Sequence, residues 1–123
     1  MLEHLETAQW RSMLYVPANR ERYVASAVGA GADAIILDLE DAVPAERKTE
    51  ARHGLGEAVA TLRAGSASVL VRVNRPWTLM IRDLEASVEA GVDAVVVPKS
   101  DDAGVIRAVD ETLTELETGS PRP

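Results

Sequence analysis

Gly29-Ala-Gly-Ala-Asp-Ala-Ile-Ile-Leu-Asp-Leu-Glu-Asp41 is the stretch that decides the fold. It reads as a helix end, then a strand over Ala34 to Leu39, then carboxylates crowded at the strand's C-terminal tip. A near-continuous apolar run of this length suits a parallel strand covered on both faces. The stretch also has an echo. Ala90-Gly-Val-Asp-Ala-Val-Val-Val-Pro-Lys99 repeats Ala30 to Leu39 at a spacing of 60 residues, Gly31 matching Gly91 and Asp33 matching Asp93. A looser pair, Ser12 to Val16 and Val69 to Val73, lies 57 residues apart. Two strand–helix pairs that occur twice are the pattern of part of a (β/α) barrel, in which chemistry sits on the strand tips.

Outward from that stretch the chain divides into four strand–helix units. The first strand runs from Arg11 to Val16, and its helix starts near Asn19, a good N-cap residue, burying Val24, Ala27 and Val28. Pro44 opens a second helix with Ala51, Leu55, Ala58 and Leu62 on one face, weakened in its middle by Gly54 and Gly56. The third strand is Ser68 to Asn74, followed by a helix carrying Ile81, Leu84 and Val88 and ending at Gly91. The fourth strand is Ala94 to Pro98. A last helix from Asp101 or Asp102 carries Ile106, Val109, Leu113 and Leu116. Strand–helix alternation implies a parallel sheet with right-handed crossovers. The domain spans residues 11–117, between an N-terminal extension (1–10) and a polar tail (118–123). Four units suit either a small open α/β sandwich or half of an eight-unit barrel; the echo favours the parallel (β/α)4 half of a TIM (β/α)8 barrel.

Composition narrows the functions. The 123 residues hold no cysteine, which excludes disulfides, zinc–thiolate sites and a thiol nucleophile. A net charge of −7 and 3% aromatic residues disfavour nucleic acid, and no apolar run is long enough to span a bilayer, so a cytoplasmic setting is expected. The acidic start does not read as a secretory leader. No phosphate-binding glycine motif follows a strand, and His4 falls in the N-terminal extension while His53 falls in a helix, so neither a histidine triad nor a zinc cluster is expected.

The candidate chemistry is at the strand tips. Asp38 and Glu40 share a face of the second strand while Leu39 takes the other. An arginine among valines, Arg72 in Val71-Arg-Val-Asn74, is costly to bury unless paired, and Asp38 or Glu40 on the neighbouring strand are its expected partners. Its planar fork also suits a carboxylate or a developing oxyanion. Lys99 adds a cation at the same end. Arg20 and Arg22 lie at the start of the first helix, where Arg22 reads as a solvated surface residue.

Arg11-Ser-Met-Leu-Tyr-Val-Pro17, Ala32 to Val43, Val71-Arg-Val-Asn74 and Val97-Pro-Lys99 resemble the citrate lyase β-subunit-like proteins of the HpcH/HpaI aldolase superfamily, relatives of citramalyl-CoA and malyl-CoA lyases. The resemblance covers residues 10 to 117. It implies a TIM barrel, usually oligomeric, and magnesium-dependent carbon–carbon cleavage or formation between a CoA thioester and a keto acid. On the matching positions it implies that Arg72 is catalytic and binds substrate oxygens, with Tyr15 and Arg20 lining the substrate pocket. Asp38, Glu40 and Lys99 then surround the metal site without ligating the ion. Ala18 stands where a glycine is common, and Ser26 where some relatives carry a basic residue for CoA. The family's glutamate and aspartate metal ligands come from later strands, so none is expected here, and the chain resembles an N-terminal half. The alternative is a catalytically inactive half-barrel acting through self-association or a partner chain, since an isolated half-barrel leaves both sheet edges unpaired and its inner face bare.

Overall fold

The computed structural model describes residues 9–119. In chain order they form β1 (Met13–Pro17), α1 (Glu21–Ala27), β2 (Ala34–Asp38), a 3-10 turn (Ala45–Arg47), α2 (Lys48–His53), α3 (Leu55–Leu62), β3 (Ser68–Arg72), α4 (Trp77–Ala90), β4 (Ala94–Val96) and α5 (Ala103–Gly119). The sheet has the order β1-β2-β3-β4, every pair parallel. This is an α/β fold, the (β/α)4 half of a TIM barrel, with β1 and β4 at the edges. Residues 1–8 of the expected extension and 120–123 of the expected tail lie outside the described residues; α5 itself continues through Thr118 to Gly119.

Alternation along the strands separates two apolar layers. Val16, Ile35, Leu37, Leu39, Val69, Val71 and Val73 point to the helical side and pack with Leu55, Leu62, Met80 and Leu84. Full burial of each such side chain stabilises by roughly 1.5–3 kcal/mol. On the opposite face Ala34, Ile36 and Leu70 form a smaller cluster with Trp10 packed against it. The inner face is therefore not bare at its centre, contrary to expectation: Ile36 and Leu70 are each only 2% exposed. Exposure is concentrated on edge strand β1, at Met13, Leu14 and Tyr15.

The repeated Gly-x-Asp has a structural explanation. Gly31 and Gly91 both take φ +78°, the left-handed conformation that a glycine adopts without steric cost. Two residues later the aspartates tie neighbouring strands together. One oxygen of Asp33 accepts from the backbone N–H groups of Arg11 (2.8 Å) and Ser12 (3.0 Å), ahead of β1. One oxygen of Asp93 accepts from the Val69 N–H (2.8 Å) at the start of β3 and from Arg63 (2.8 Å). The echo marks the bottom of the sheet, opposite the chemistry.

Several elements differ from the sequence reading. The second helix is two, α2 and α3, broken at Gly54, yet Ala51, Leu55, Ala58 and Leu62 are all buried as one stripe. Asn19 does not cap α1; Arg20 is the boundary residue, with no side-chain cap, and Val28 lies beyond the helix. Ile81 and Ile106 are exposed: the buried faces of α4 and α5 keep Leu84, Val88, Val109 and Leu113 as expected, but their first turns point Met80 and Val105 inward instead. Each strand also ends earlier or shifts by one or two residues, with Leu39, Asn74 and Pro98 falling in the loops after the tips.

Candidate active site

Register places Pro17, Asp38, Arg72 and Val96 side by side in the last row of the sheet. Side chains in one row of a parallel sheet share a face, so Asp38 and Arg72 are direct neighbours. The guanidinium grips the carboxylate with two parallel bonds, Nε to Oδ1 at 3.0 Å and Nη2 to Oδ2 at 2.6 Å. Such a fork adds direction as well as energy. The other lone pairs of Asp38 accept from the backbone N–H of Glu40 (2.8 Å) and of Ala42 (3.1 Å), which curls the loop after β2 around the carboxylate. Burial pushes the Asp38 carboxyl up, but its hydrogen bonds to Arg72, Glu40 and Ala42 and the Arg72 charge outweigh that, holding it below the ordinary carboxylate value. The Arg72 guanidinium is raised in turn, chiefly by its hydrogen bonds to Asp38.

Around this pair stand the other candidates. The Tyr15 ring lies 4.6 Å from the Arg72 guanidinium carbon, a cation–π contact that reaches from β1 across β2. Glu40 reaches Arg72 Nε at 3.6 Å and is also bound by Lys99, whose ammonium lies 3.8 Å from Asp41. Lys99 is held above its usual value, first by the hydrogen bond to Glu40. It takes φ +52°, the only non-glycine residue among those described with positive φ, so the turn after β4 swings its side chain across β3 to the tip of β2. Arg72, Tyr15, Asp38, Glu40 and Lys99 are thus brought together. Arg20 is not: it lies over the Tyr23 ring at 5.9 Å, at the head of α1.

Sequence reasoning missed a second layer beneath these groups. The Asn74 amide donates to the Leu39 carbonyl (3.0 Å) and to Asp83 of α4 (2.8 Å), and its backbone N–H donates to the same Asp83 oxygen (2.8 Å). Arg52 of α2 donates to the other Asp83 oxygen at 2.8 Å. Lys48 donates to the carbonyls of Leu39 (3.0 Å) and Glu40 (2.9 Å). The available signal was Asp83 itself, an acidic residue one turn before Ser87 on the apolar stripe of Met80, Leu84 and Val88. Beside the tips, Glu40, Asp41, Lys48, Asn74, Arg75, Trp77 and Lys99 line a cleft of about 540 Å³.

The residues present do not by themselves fit a magnesium ion. Among those described there is no group of three or more histidine, cysteine, aspartate or glutamate side chains able to hold a metal. Both oxygens of Asp38 are taken by Arg72 and backbone donors, and Glu40 is shared between Lys99 and Arg72. No helix among the described residues is long and apolar enough to cross a membrane.

The described residues thus form a parallel half-barrel with an arginine–carboxylate pair on its C-terminal strand tips. The chain belongs to the HpcH/HpaI aldolase/citrate lyase family, which matches residues 11–122. It is 37% identical over 114 residues to the citrate lyase subunit beta of Leuconostoc mesenteroides subsp. cremoris, covering 92% of this chain and 38% of that protein. It is 43% identical over 108 residues to a (3S)-malyl-CoA thioesterase of Cereibacter sphaeroides (strain ATCC 17029 / ATH 2.4.9), covering 87% and 38%. The crystal structure of RipC from Yersinia pestis superposes with a TM-score of 0.64 at 31% identity, over 90% of this chain and 44% of that one. The chain therefore spans about two-fifths of the length of the curated relatives it matches.

Proposed function

We propose that this chain is the anion-handling half of a carbon–carbon lyase that acts on the CoA thioester of a hydroxy acid, with Arg72 as the group that meets the developing negative charge. The observation that carries the reading is the Arg72 fork. Its Nε and Nη2 are fixed by Asp38, while Nη1 has no hydrogen-bond partner among the described residues. An arginine locked on one edge and open on the other is a pre-aimed donor, and pre-aimed donors are what stabilise an oxyanion. In the cleavage direction the hydroxyl gives up its proton to a base that the rest of the barrel would supply, and its carbon becomes a carbonyl. The C–C bonding pair moves into the thioester to leave an enolate oxygen, which accepts from Arg72. Tyr15 covers the guanidinium face and Lys99 supplies a second cation for a substrate carboxylate. The relatives carry names from two chemistries, lyase and thioesterase. Magnesium, which the family resemblance implies, would be ligated by residues of the whole barrel rather than by Asp38 and Glu40.

Isothermal titration of the 123-residue chain with (3S)-malyl-CoA, with free CoA, and with each against Arg72→Ala tests the reading. Binding of malyl-CoA that weakens at least about tenfold in Arg72→Ala, the loss of roughly 1.4 kcal/mol, supports it. Equal binding by both proteins overturns it.

A second reading, association with another copy or a partner chain, draws on the exposed apolar side chains of β1 and the unpaired edges of β1 and β4. Unpaired parallel edges present free backbone donors and acceptors for another strand.

A further inference from the structure

Asp83 lies in the helical layer, yet its hydrogen bonds lead to the strand tips. It is 1% exposed and carries a carboxylate in an apolar layer, an expensive arrangement unless every lone pair is used. One oxygen accepts from Arg52; the other accepts from both the backbone and side-chain N–H groups of Asn74. The remaining amide hydrogen of Asn74 goes to the Leu39 carbonyl, between Asp38 and Glu40. The Leu39 N–H donates to the Arg72 carbonyl at 3.0 Å, so this one residue is held from the β3 side through both of its backbone polar groups.

The chain of contacts is continuous: α2 and α4 to Asn74, Asn74 to Leu39, Leu39 to the two carboxylates that flank Arg72. The β2–β3 register ends at Asp38 and Arg72. Past that row the Leu39 N–H bond and the Asn74 amide join the two strand tips, beside the Glu40–Arg72 contact at 3.6 Å, while Lys48 donates to the same Leu39 carbonyl from the helical layer. An amide has two donors and one acceptor. Here both donors and the backbone N–H point at acceptors, so the rotamer of Asn74 is set by the position of Asp83. An asparagine in place of that carboxylate has an acceptor for only one of its two partners, Asn74 or Arg52.

We infer that Asp83 is a positioning residue for Arg72, acting through Asn74 and the Leu39 carbonyl to fix the spacing of the Asp38–Arg72 fork. Its value for the site rests on the proposed role of Arg72, but the spacing itself is measured without any ligand. Failure of the positioning relay is thereby separated from failure of the lyase reading.

The experiment follows the Arg72 Nε–H resonance of the full chain by nitrogen-15 NMR in the wild type, Asp83→Asn, Asn74→Ala and Leu113→Ala. Leu113, in the core on α5, serves as a control that destabilises without touching the relay. Loss of a buried charged acceptor should speed exchange of the Arg72 Nε proton about tenfold in Asp83→Asn. The resonance should also move, while β3 backbone amides such as that of Val71 keep their protection. Leu113→Ala should leave the Arg72 resonance in place. If Asp83→Asn does not fold, Asn74→Ala gives the same reading through the next link. A wild-type Arg72 signal in a folded relay variant, or an equal change in Leu113→Ala, overturns the inference.

Discussion

Removing the Asp38 carboxylate should cost far more than its size suggests. Asp38→Ala deletes two bonds from Arg72 and two from backbone N–H groups at a position only 1% exposed. Breaking a buried ion pair by deleting one partner costs about 3–5 kcal/mol, most of it from the stranded charge. Arg72 keeps a side-chain exposure of 20% and has Glu40 3.6 Å away as a substitute, so the low end applies. A loss of about 3 kcal/mol is a large share of the ~5–15 kcal/mol that stabilises a domain. For a chain of 123 residues it lowers Tm by about 10 °C. The assay is a double-mutant cycle by urea and thermal unfolding, with Asp38→Ala, Arg72→Ala and the pair. The double mutant should recover about 2 kcal/mol relative to additivity. Half-molar salt should leave that coupling largely intact, because salt screens buried pairs much less than exposed ones. A coupling energy below about 0.5 kcal/mol, the scatter expected of independent sites, would refute the view that the fork is the anchor of the site.

Because Asp38 is held below its ordinary value of 3.8, its share of the stability is complete above about pH 4 and is lost as pH falls through the lowered folded value. Acid titration of stability should therefore be flatter in Asp38→Asn than in the wild type. Gly91→Ala should cost about 1 kcal/mol, since the added methyl meets open space and only the positive φ resists it, whereas Gly56→Ala within α3 should stabilise by a few tenths to about 1 kcal/mol; chemical denaturation reads both. The 123-residue chain alone should show no turnover of malyl-CoA with magnesium, checked by assaying the keto acid from C–C cleavage and the free thiol from hydrolysis in parallel; keto-acid formation lost on Arg72→Ala would reverse that expectation. Light scattering should find an oligomer, with a stable dimer of the 13.2 kDa chain pairing β1 and β4 edges between copies; a soluble monomer at high concentration would contradict it.

The fold was legible where periodicity and breakers agreed. The echo of Gly31 and Asp33 in Gly91 and Asp93 gave the repeat, and the shared φ of +78° and the strand-tying aspartates show why it exists. The Arg72 partnership was legible because strand alternation puts Asp38 and Glu40 on one face and an arginine among valines demands a partner. What strand patterns cannot show is where helices send polar groups. Asp83 looks like an ordinary surface residue by type, and only the rotation of α4 reveals that it is buried beneath Asn74. The same orientation of α4 exposes Ile81, and that of α5 exposes Ile106, both of which periodicity alone placed inside. Arg20 was assigned by resemblance, and its stacking on Tyr23 reflects the local start of α1 rather than the strand row.

If Arg72 meets the substrate's negative charge from the strand tips, its own side-chain resonance reports that contact most directly. During a titration of the chain with (3S)-malyl-CoA, the Arg72 Nε–H signal should shift saturably, in step with Lys99, while that of Arg20 stays in place. Saturable binding that moves Arg20 and leaves Arg72 unmoved would contradict the claim.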